Sequence, residues 1–478
     1  MISFLICLIA LVIGYFVYGN FVERIFGIAP NRCTPATTKA DGIDYIALPT
    51  WKIFMIQFLN IAGLGPIFGA IMGAKFGTAS YLWIVLGSIF AGAIHDYISG
   101  MLSLRHDGES LPELIGRYLG KNAKLVMRVF TVVLMVLVGA VFVAGPAGIL
   151  ANMTPDIFSV KFWLLVIFAY YLLATLLPID KLIGKIYPLF AIVLLFMAIG
   201  ILIMFFIKQP TLPEFWDGME NTHPNSLPIM PFMFITIACG AISGFHATQS
   251  PLMARCLKSE TYGKPVFFGA MIVEGIVALI WAAAANFYFN EHGMAETNAL
   301  VVADAITKNW LGQIGAIIAL LGIVAAPITS GDTALRSARL IVADFLKLEQ
   351  RSVKKRLYIC IPLFALTMAV LIYSISNKDG FDIIWRYFAW FNQTLSVFTL
   401  WTITAYLTVQ KKIYGITLLP ALFMTFVCSS YICIAPEGLE LDANIAYMIG
   451  GICVIIGILW FYRWKTNQQK VDRKFHKK

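Results

Sequence analysis

The sequence predicts an all-α integral membrane protein with about thirteen transmembrane helices, built on a five-plus-five inverted repeat with two broken helices. The 478-residue chain is 59% hydrophobic and only 13% charged, and its mean hydropathy is +0.80. Soluble domains carry about 25% charged residues, so this composition excludes an ordinary soluble protein. The other two observations are apolar segments along the whole chain and glycine-rich breaks in two of them.

Thirteen apolar segments are long enough to cross about 30 Å of hydrocarbon. The loops between them hold at most about thirty residues, too few to bury a core of their own. The first segment lacks a preceding basic region and a following small-residue cleavage site, which favours a retained span over a signal peptide. The segments lie near residues 2–19, 53–74, 80–103, 125–149, 162–177, 183–207, 229–249, 266–289, 312–328, 357–374, 384–406, 413–433 and 444–462.

The distribution of Lys and Arg predicts an N-terminus outside and a C-terminus in the cytoplasm. With this orientation, 30 of the 36 basic residues fall on the cytoplasmic side, as the positive-inside rule requires. The loops on the other side are acidic instead. The net charge of +10 therefore reflects the edges of the membrane, and no nucleic-acid surface is expected.

Two apolar segments are predicted to be broken helices. They read FLNIAGLGPIFGAIMGAKFG (58–77) and ITIACGAISGFHATQS (235–250). Glycine and proline are poor helix formers, and Pro66 cannot donate a helical hydrogen bond. A broken backbone is tolerated in a bilayer only where it is buried in protein or lines a cavity. We therefore predict a binding site at the two breaks, with close packing of small residues as the alternative.

The two breaks also predict the domain organisation. The first broken span begins inside and the second begins outside, five spans later, so each opens a five-helix unit of opposite orientation. Inverted repeats that contain broken helices are typical of secondary transporters. The predicted parts are an N-terminal span with a cytoplasmic loop (1–52), the first repeat (53–208), the inverted second repeat (209–408), and two extra spans with a basic cytoplasmic tail (409–478).

Several long motifs resemble the carbon starvation protein A family. IAGLGPIFGAIMGAKFG and LWIVLGSIFAGAIHDYISGMLSLRHDGESLPEL resemble its opening, and ITIACGAISGFHATQSPLMARC, TSGDTALRSARLIVADF and FAWFNQTLSVFTLW follow in the family's order. The resemblance implies an inner-membrane uptake carrier for peptides or pyruvate, used in carbon starvation. It also implies a leucine-transporter-like core, because the family is similar to the amino acid–polyamine–cation superfamily. This chain is much shorter than the better-known members.

The helix ends at the two breaks are the predicted substrate site. Free N–H groups and the positive end of a half-helix suit an anionic substrate. His246 directly follows the second break, where it is either a substrate contact or a polar residue near the inner end of its helix. The predicted substrate-binding residues are Asn60, Gly63, Gly65, Gly69, Gly240, Ser243, Gly244 and His246.

Three ionisable residues within apolar segments are predicted to couple transport to protons. They are His95, Asp96 and Glu274. Ionisable groups inside a membrane are costly and usually functional, and histidine titrates near neutral pH. The alternatives place the His95–Asp96 pair at a helix end near the headgroups and Glu274 closer to the interface.

The resemblance further implies a candidate sodium site. In sodium-coupled members of the superfamily, the eighth core helix offers a carbonyl and two adjacent hydroxyls to carbonyls of the first broken helix. Oxygen ligands suit a hard cation, and Asp332 would neutralise it or cap a following helix. No other cofactor is expected. The residues implied are Ala62, Gly65, Ala326, Thr329 and Ser330.

Other polar and aromatic residues receive structural interpretations. The segment TALRSARLIVADFLKL, with Arg336 and Arg339, is predicted to be a cytoplasmic surface helix. Asn392 and Gln393 are predicted to make interhelical hydrogen bonds. The aromatic run at 385–391 is predicted to form an interface belt. Cys239 is predicted to be a small core residue.

Together these observations predict an ion-coupled secondary transporter of small organic molecules, and not an enzyme. The sequence contains no GxxxxGK[ST] loop for ATP hydrolysis, no HExxH and no GxSxG. A passive channel and a membrane-embedded enzyme are the alternatives. The expected partners are a small-molecule substrate and the lipid bilayer. The sequence does not decide whether the substrate is a peptide or pyruvate, or whether the coupling ion is a proton or sodium.

Overall fold

A computed structural model of the chain describes residues 1–176, 183–294, 298–348, 350, 352–377 and 380–475. All regular elements among these residues are helical, which confirms the all-α class. Six charged residues that enter the predicted charge pattern lie outside the described residues; they are Lys181, Glu296, Arg351, Lys378, Lys477 and Lys478.

Besides two short helical turns, Pro35–Thr38 and Phe215–Asp217, seventeen longer helical segments organise the described chain. In order they are α1 (Ile2–Phe16), α2 (Tyr18–Phe26), α3 (Thr50–Ile61), α4 (Gly65–Phe76), α5 (Ala79–Arg105), α6 (Leu111–Leu119), α7 (Lys121–Met153), α8 (Val160–Leu176), α9 (Ile183–Lys208), α10 (Ile229–Thr236), α11 (Gly244–Ala254), α12 (Glu260–His292), α13 (Ala299–Leu346), α14 (Val353–Ser376), α15 (Gly380–Val409), α16 (Gly415–Ile434) and α17 (Ala443–Phe475).

These helices make the chain a multi-pass membrane protein. Within the described ranges, nine helices are long and apolar enough to cross a bilayer, and the bent pair α3–α4 would be a tenth. Helices overlap all thirteen predicted segments, but length and composition qualify only nine or ten of them. The number thirteen, the inverted repeat and the orientation of the termini therefore stay predictions.

Both predicted helix breaks are present. α3 and α4 meet at 54° across a three-residue gap. α10 and α11 are separated by the unwound segment Ile237–Ser243, in which all side chains are buried. The structure therefore interrupts the helices where glycine and proline predicted it.

Glycines in α4 and α11 let neighbouring backbones approach closely. A Cβ on Gly65 would lie 2.3 Å from the Cβ of Cys239, and one on Gly69 would lie 2.8 Å from a backbone oxygen next to the second break. A Cβ on Gly244 would lie 2.4 Å from the carbonyl oxygen of Asn392. These glycines therefore serve close helix packing, the alternative that the sequence left open. Their part in substrate binding stays a prediction.

Side chains of α5 satisfy the unwound backbone. The indole N–H of Trp83 donates to the carbonyl of Ile237 at 3.2 Å, and the Ser88 hydroxyl donates to the carbonyl of Gly240 at 2.9 Å. An unpaired carbonyl at membrane depth costs several kcal/mol, and these hydrogen bonds offset that cost at the break. α5 therefore stabilises the second break.

The prediction of a surface helix around Arg336 and Arg339 is wrong. α13 continues to Leu346, and both guanidinium groups are fully buried. The physical reason is Asp44, which lies in the loop before α3 and contacts both groups. A charge partner far away in sequence makes burial of these residues tolerable.

Replacing Gly244 by alanine tests the close packing. The new Cβ would meet backbone atoms of α15, which cannot move as a flexible side chain can, so we expect a loss of about 1–3 kcal/mol of stability. Gly148→Ala is the matched control, because its Cβ would meet nothing within 4 Å. Thermal stability in detergent should fall for Gly244→Ala only. Equal melting temperatures for the two variants would contradict the packing.

Candidate functional site

The candidate site is a cluster of four buried ionisable residues. His95 and Asp96 lie on α5, His246 on α11 and Glu274 on α12. All four are fully buried. The structure therefore brings together residues that the sequence singled out on three separate segments. The alternatives that placed the His95–Asp96 pair near the headgroups and Glu274 closer to the interface concern depth in the bilayer, which burial within the protein does not decide.

Asp96 is the centre of this cluster because it lies between two imidazole rings. Its Oδ1 is 2.7 Å from Nδ1 of His95, and its Oδ2 is 2.9 Å from Nδ1 of His246. The other ring nitrogen of His246, Nε2, is 3.4 Å from Oε2 of Glu274. The order His95–Asp96–His246–Glu274 is thus a continuous path of ionisable groups across three helices.

The two carboxyl groups of the path have different surroundings. Both oxygens of Asp96 face a ring nitrogen, so each can accept a hydrogen bond. Among the described residues, neither oxygen of Glu274 has a hydrogen-bond partner, and neither does Nε2 of His246. A buried charge without a partner is expensive. A proton shared between His246 and Glu274 removes this cost, so the site is suited to bind one.

Asn392 on α15 closes the N-terminal end of α11. Its Oδ1 accepts hydrogen bonds from the backbone N–H of Phe245 at 2.7 Å and from the hydroxyl of Ser243 at 3.0 Å. The predicted interhelical role of Asn392 is confirmed. The sequence predicts this helix end as an anion site. In the structure, its N–H group at Phe245 instead binds the neutral amide oxygen of Asn392 on another helix.

Cys239 is a member of the site that the sequence missed. Its thiol, a ring nitrogen of His246 and a carboxylate oxygen of Glu274 lie within 4.8 Å of one another, which makes them a possible metal-ligand set within the described chain. The sulfur also lies 3.6 Å from the Ser243 hydroxyl and 3.6 Å from the Asn392 amide. We assign the thiol to these hydrogen bonds and assign no metal. Unwound backbone has no fixed period, so spacing alone could not place Cys239.

Of the candidate sodium-site residues, Ser330 lies in contact with the first break, where α13 crosses it. The Ser330 hydroxyl donates to the carbonyl of Leu59 at 3.1 Å, and a Cβ on Gly63 would lie 3.3 Å from the same hydroxyl. The Thr329 hydroxyl bonds within its own helix, to Ala326 O at 2.8 Å. Ala62, like Thr329 and Ser330, is fully buried. The structure thus places hydroxyls of α13 beside the break.

Asp332 and Asn60 make further polar contacts near Ser330. The hydroxyl of Tyr187 on α9 donates to Oδ2 of Asp332 at 2.5 Å. The Thr333 hydroxyl is 3.4 Å from Oδ1 of Asn60. The capping role considered for Asp332 is wrong, because α13 continues through this residue without a new start.

A cavity of about 590 Å³ is lined by residues of both broken helices. Its walls include Phe68 of α4, Thr236 of α10 and Trp385 of α15. The rings of Phe68 and Trp385 are 6.1 Å apart. Trp385 therefore lines an access cavity, a position that the sequence did not predict. Asp382 and Arg386 stand in the same wall.

Comparisons with other sequences place these features in a family context. A family model described as "Carbon starvation protein CstA" matches residues 1–162 and 150–309. An uncharacterized membrane protein of Haemophilus influenzae is 44% identical over 358 residues, 64% of this chain and 96% of that protein. The peptide transporter CstA of Bacillus subtilis is 26% identical over an alignment that covers 98% of this chain and 97% of the transporter.

Other curated relatives are longer. The pyruvate/proton symporter BtsT of Escherichia coli is 26% identical over 339 residues, 57% of this chain and 47% of the symporter. The chain likewise spans about half the length of the Campylobacter and Helicobacter peptide transporters that it matches. The relatives with functional names are transporters and not enzymes.

Solved structures show the same fold at low sequence identity. The manganese transporter of Eremococcus coleocola, in complex with an aromatic bis-isothiourea substituted compound, aligns with a TM-score of 0.57 and 11% identity, over 90% of this chain and 99% of that chain. MhsT in complex with L-phenylalanine aligns with a TM-score of 0.58 and 13% identity, over 85% and 99%. These likenesses concern the fold alone.

Replacing Asn392 by alanine tests the junction of α11 and α15. The change removes the acceptor of two buried donors, so we expect a loss of about 1–3 kcal/mol of stability. Asn377→Ala is the control, because this exposed amide follows the end of α14 and donates to the carbonyl of Tyr373 in the last turn of that helix. Thermal unfolding in detergent measures both variants. A melting temperature of Asn392→Ala that equals that of the control would show that the junction contributes nothing.

Proposed function

Because this chain belongs to the carbon starvation protein CstA family, we propose that it is a secondary active transporter that takes up peptides or pyruvate together with a proton. It would act in the bacterial inner membrane when preferred carbon sources are scarce. In this proposal the N-terminus lies outside and the C-terminus in the cytoplasm. The observation that carries the proposal is the buried path His95–Asp96–His246–Glu274 beside the second helix break.

The position of His246 links the proton to the substrate. His246 follows the unwound segment Ile237–Ser243 by only three residues, and the helix that carries it begins at Gly244. A ligand bound at the break and a proton bound at His246 and Glu274 would therefore act on the same half-helix. Two ligands that favour one arrangement of a shared element raise each other's affinity by the same factor. This reciprocity is the thermodynamic requirement for symport.

Peptides and pyruvate share a carboxylate, and the break offers groups that suit one. Half-helix ends carry a positive dipole, and a carboxylate could take the place of Asn392 Oδ1 at the N–H of Phe245. The candidate residues remain Asn60, Gly63, Gly65, Gly69, Gly240, Ser243, Gly244 and His246. The access cavity of about 590 Å³ falls within the usual range of small-molecule sites. The names of the relatives from Bacillus subtilis and Escherichia coli support these two substrate classes.

We further propose that residues 53–208 and 209–408 form an inverted repeat within a thirteen-span chain. Two observations support it: each unit begins with a broken helix, α3–α4 or α10–α11, and both breaks lie against each other at Gly65 and Cys239. Sites at the interface of two inverted repeats are typical of secondary transporters.

Sodium is the second candidate for the coupling ion. The contact that favours it is the Ser330 hydroxyl, 3.1 Å from the carbonyl oxygen of Leu59 at the first break. A sodium ion would replace this hydrogen bond by oxygen ligands from both helices. The proposed ligands are Ala62, Gly65, Ala326, Thr329 and Ser330.

Transport by purified protein in liposomes tests proton coupling. We expect labelled pyruvate or a dipeptide to accumulate under an imposed proton gradient. Asp96→Asn and Glu274→Gln should reduce this accumulation at least about 100-fold, because each removes an ionisable group from the path. Glu440→Gln, which alters an exposed carboxylate, should leave it unchanged.

Two outcomes would contradict the proposal. Failure to accumulate any of these substrates under a proton or a sodium gradient would exclude a symporter. Transport that only equilibrates the substrate, with no response to the gradient, would instead indicate a passive channel.

The double variant Thr329→Ala/Ser330→Ala tests the sodium site. If sodium binds there, the sodium concentration needed for half-maximal uptake should rise at least about tenfold, since two of its oxygen ligands are lost. The control is Thr466→Ala, which removes an exposed hydroxyl that bonds only within its own helix. Identical sodium dependence in the double variant and the control would remove this site from the account.

A further inference from the structure

Two side chains of opposite charge lie on one face of α15, in the wall of the access cavity. Asp382 and Arg386 both line this cavity, and they lie four residues apart in the helix. Side chains with this spacing are neighbours, about 6 Å apart along the helix axis. Asp304 and Lys308 have the same spacing and form an ion pair of 2.7 Å, whereas Arg386 pairs with Glu437 instead. Asp382 and Arg386 therefore remain separate charges in one wall.

Arg386 is oriented by a buried carboxylate behind it. Its Nε is 3.2 Å from Oε2 of Glu437, whose side chain is only 2% exposed. The hydroxyl of Tyr431 donates to Oε1 of Glu437, and that of Tyr387 donates to the Glu437 carbonyl at 3.1 Å. The side chain of Arg386 itself is 42% exposed, and its two terminal nitrogens pair with no described residue. A guanidinium group with two available nitrogens can bind a carboxylate through two parallel hydrogen bonds.

The charges at the cavity are mixed. Among the described lining residues, Arg386 contributes a positive charge and Asp382 a negative one, and Glu437 adds a second negative charge behind Arg386. His223 also lines the cavity, and burial together with the charge of Lys75 lowers the pKa of its ring. A simple anion such as pyruvate would gain Arg386 but would face Asp382 as well. Because like charges disfavour a partner, the wall suits a ligand that carries both an amine and a carboxylate.

The spacing of the two charges selects the length of such a ligand. Two extended residues span at most about 7 Å, whereas a single residue spans about 3.5 Å. Charges about 6 Å apart on a helix therefore match the termini of a dipeptide better than those of a free amino acid. Beside them, Trp385 lies 6.1 Å from the rings of both Phe68 and Phe381, which gives the ligand side chains an apolar surface. The cavity volume of about 590 Å³ is sufficient for a small ligand.

We propose that Arg386 and Asp382 form an outer binding site for a zwitterionic dipeptide, in which Arg386 binds the carboxylate and Asp382 binds the amine. The predicted orientation places this end of α15 outside, where uptake begins. Arg386 lies one turn further along α15, so the carboxylate would enter first. Phe68 of α4 and Thr236 of α10 line the same cavity, so the ligand would lie beside both broken helices. The role in uptake rests on the proposed function; the dipeptide site itself does not.

Equilibrium dialysis of radiolabelled ligands against the full-length protein in detergent tests this site. Asp382→Asn should weaken binding of dialanine about tenfold or more, because a charge-assisted hydrogen bond is lost. It should leave N-acetyl-dialanine unaffected, because this compound has no charged amine. Arg386→Gln should weaken dialanine about tenfold or more and leave dialanine amide, which has no carboxylate, unaffected. A general loss of structure would weaken all three ligands alike.

Matched controls remove a charge elsewhere on the predicted outer side. Glu440→Gln and Lys308→Gln alter exposed side chains that do not line the described part of this cavity, so both variants should bind all three ligands as the wild type does. If Arg386→Gln does not give monodisperse protein, Arg386→Lys measures the same contact. It keeps the charge but loses the paired hydrogen bonds, so it should weaken dialanine and again leave dialanine amide unaffected.

Three results would overturn the proposal. They are unchanged dialanine binding in Asp382→Asn and Arg386→Gln, an equal loss for all three ligands, and wild-type binding of pyruvate as tight as that of dialanine. The binding measurement needs no gradient. Gradient-driven uptake in liposomes together with any of these results would reject only the dipeptide site. The expected binding pattern without any accumulation would instead support the site and reject the transport proposal.

Discussion

The fold depends on one constraint: backbone that leaves a helix inside a membrane must find its hydrogen bonds within the protein. Carbonyls of the unwound segment Ile237–Ser243 accept hydrogen bonds from Trp83 and Ser88, and Asn392 accepts one from the N–H of Phe245 in the first turn of α11. Glycines bring the first broken helix into direct contact with it. Once this junction is formed, α5, α11, α12 and α15 are held around a single point, and their polar residues converge there.

The same reasoning explains the two buried charge clusters. At the centre, Asp96 has an imidazole on each side, whereas Glu274 has only the unpartnered nitrogen of His246 near it. In the other cluster, Asp44 contacts the guanidinium groups of both Arg336 and Arg339. A buried carboxyl group such as Glu274, with one imidazole near it, is suited to bind and release a proton.

The sequence was sufficient for the class of fold, both helix breaks and the four residues of the central path. Hydropathy, glycine content and the cost of intramembrane charge are local properties, so a single sequence displays them. Contacts between distant segments were not accessible in this way. Arg336 and Arg339 were placed on a surface because Asp44, their partner, lies almost 300 residues away. Cys239 was missed because spacing carries no information through unwound backbone.

In the proposed transport cycle, the buried path moves a proton together with the substrate. The most direct measurement is the pH inside protein-containing liposomes loaded with a pH-sensitive dye, at equal starting pH on both sides. Addition of pyruvate or a dipeptide outside should acidify the interior in the wild type, and it should not do so with Asp96→Asn. Substrate entry without any change of internal pH, in protein that transports the substrate, would contradict the account.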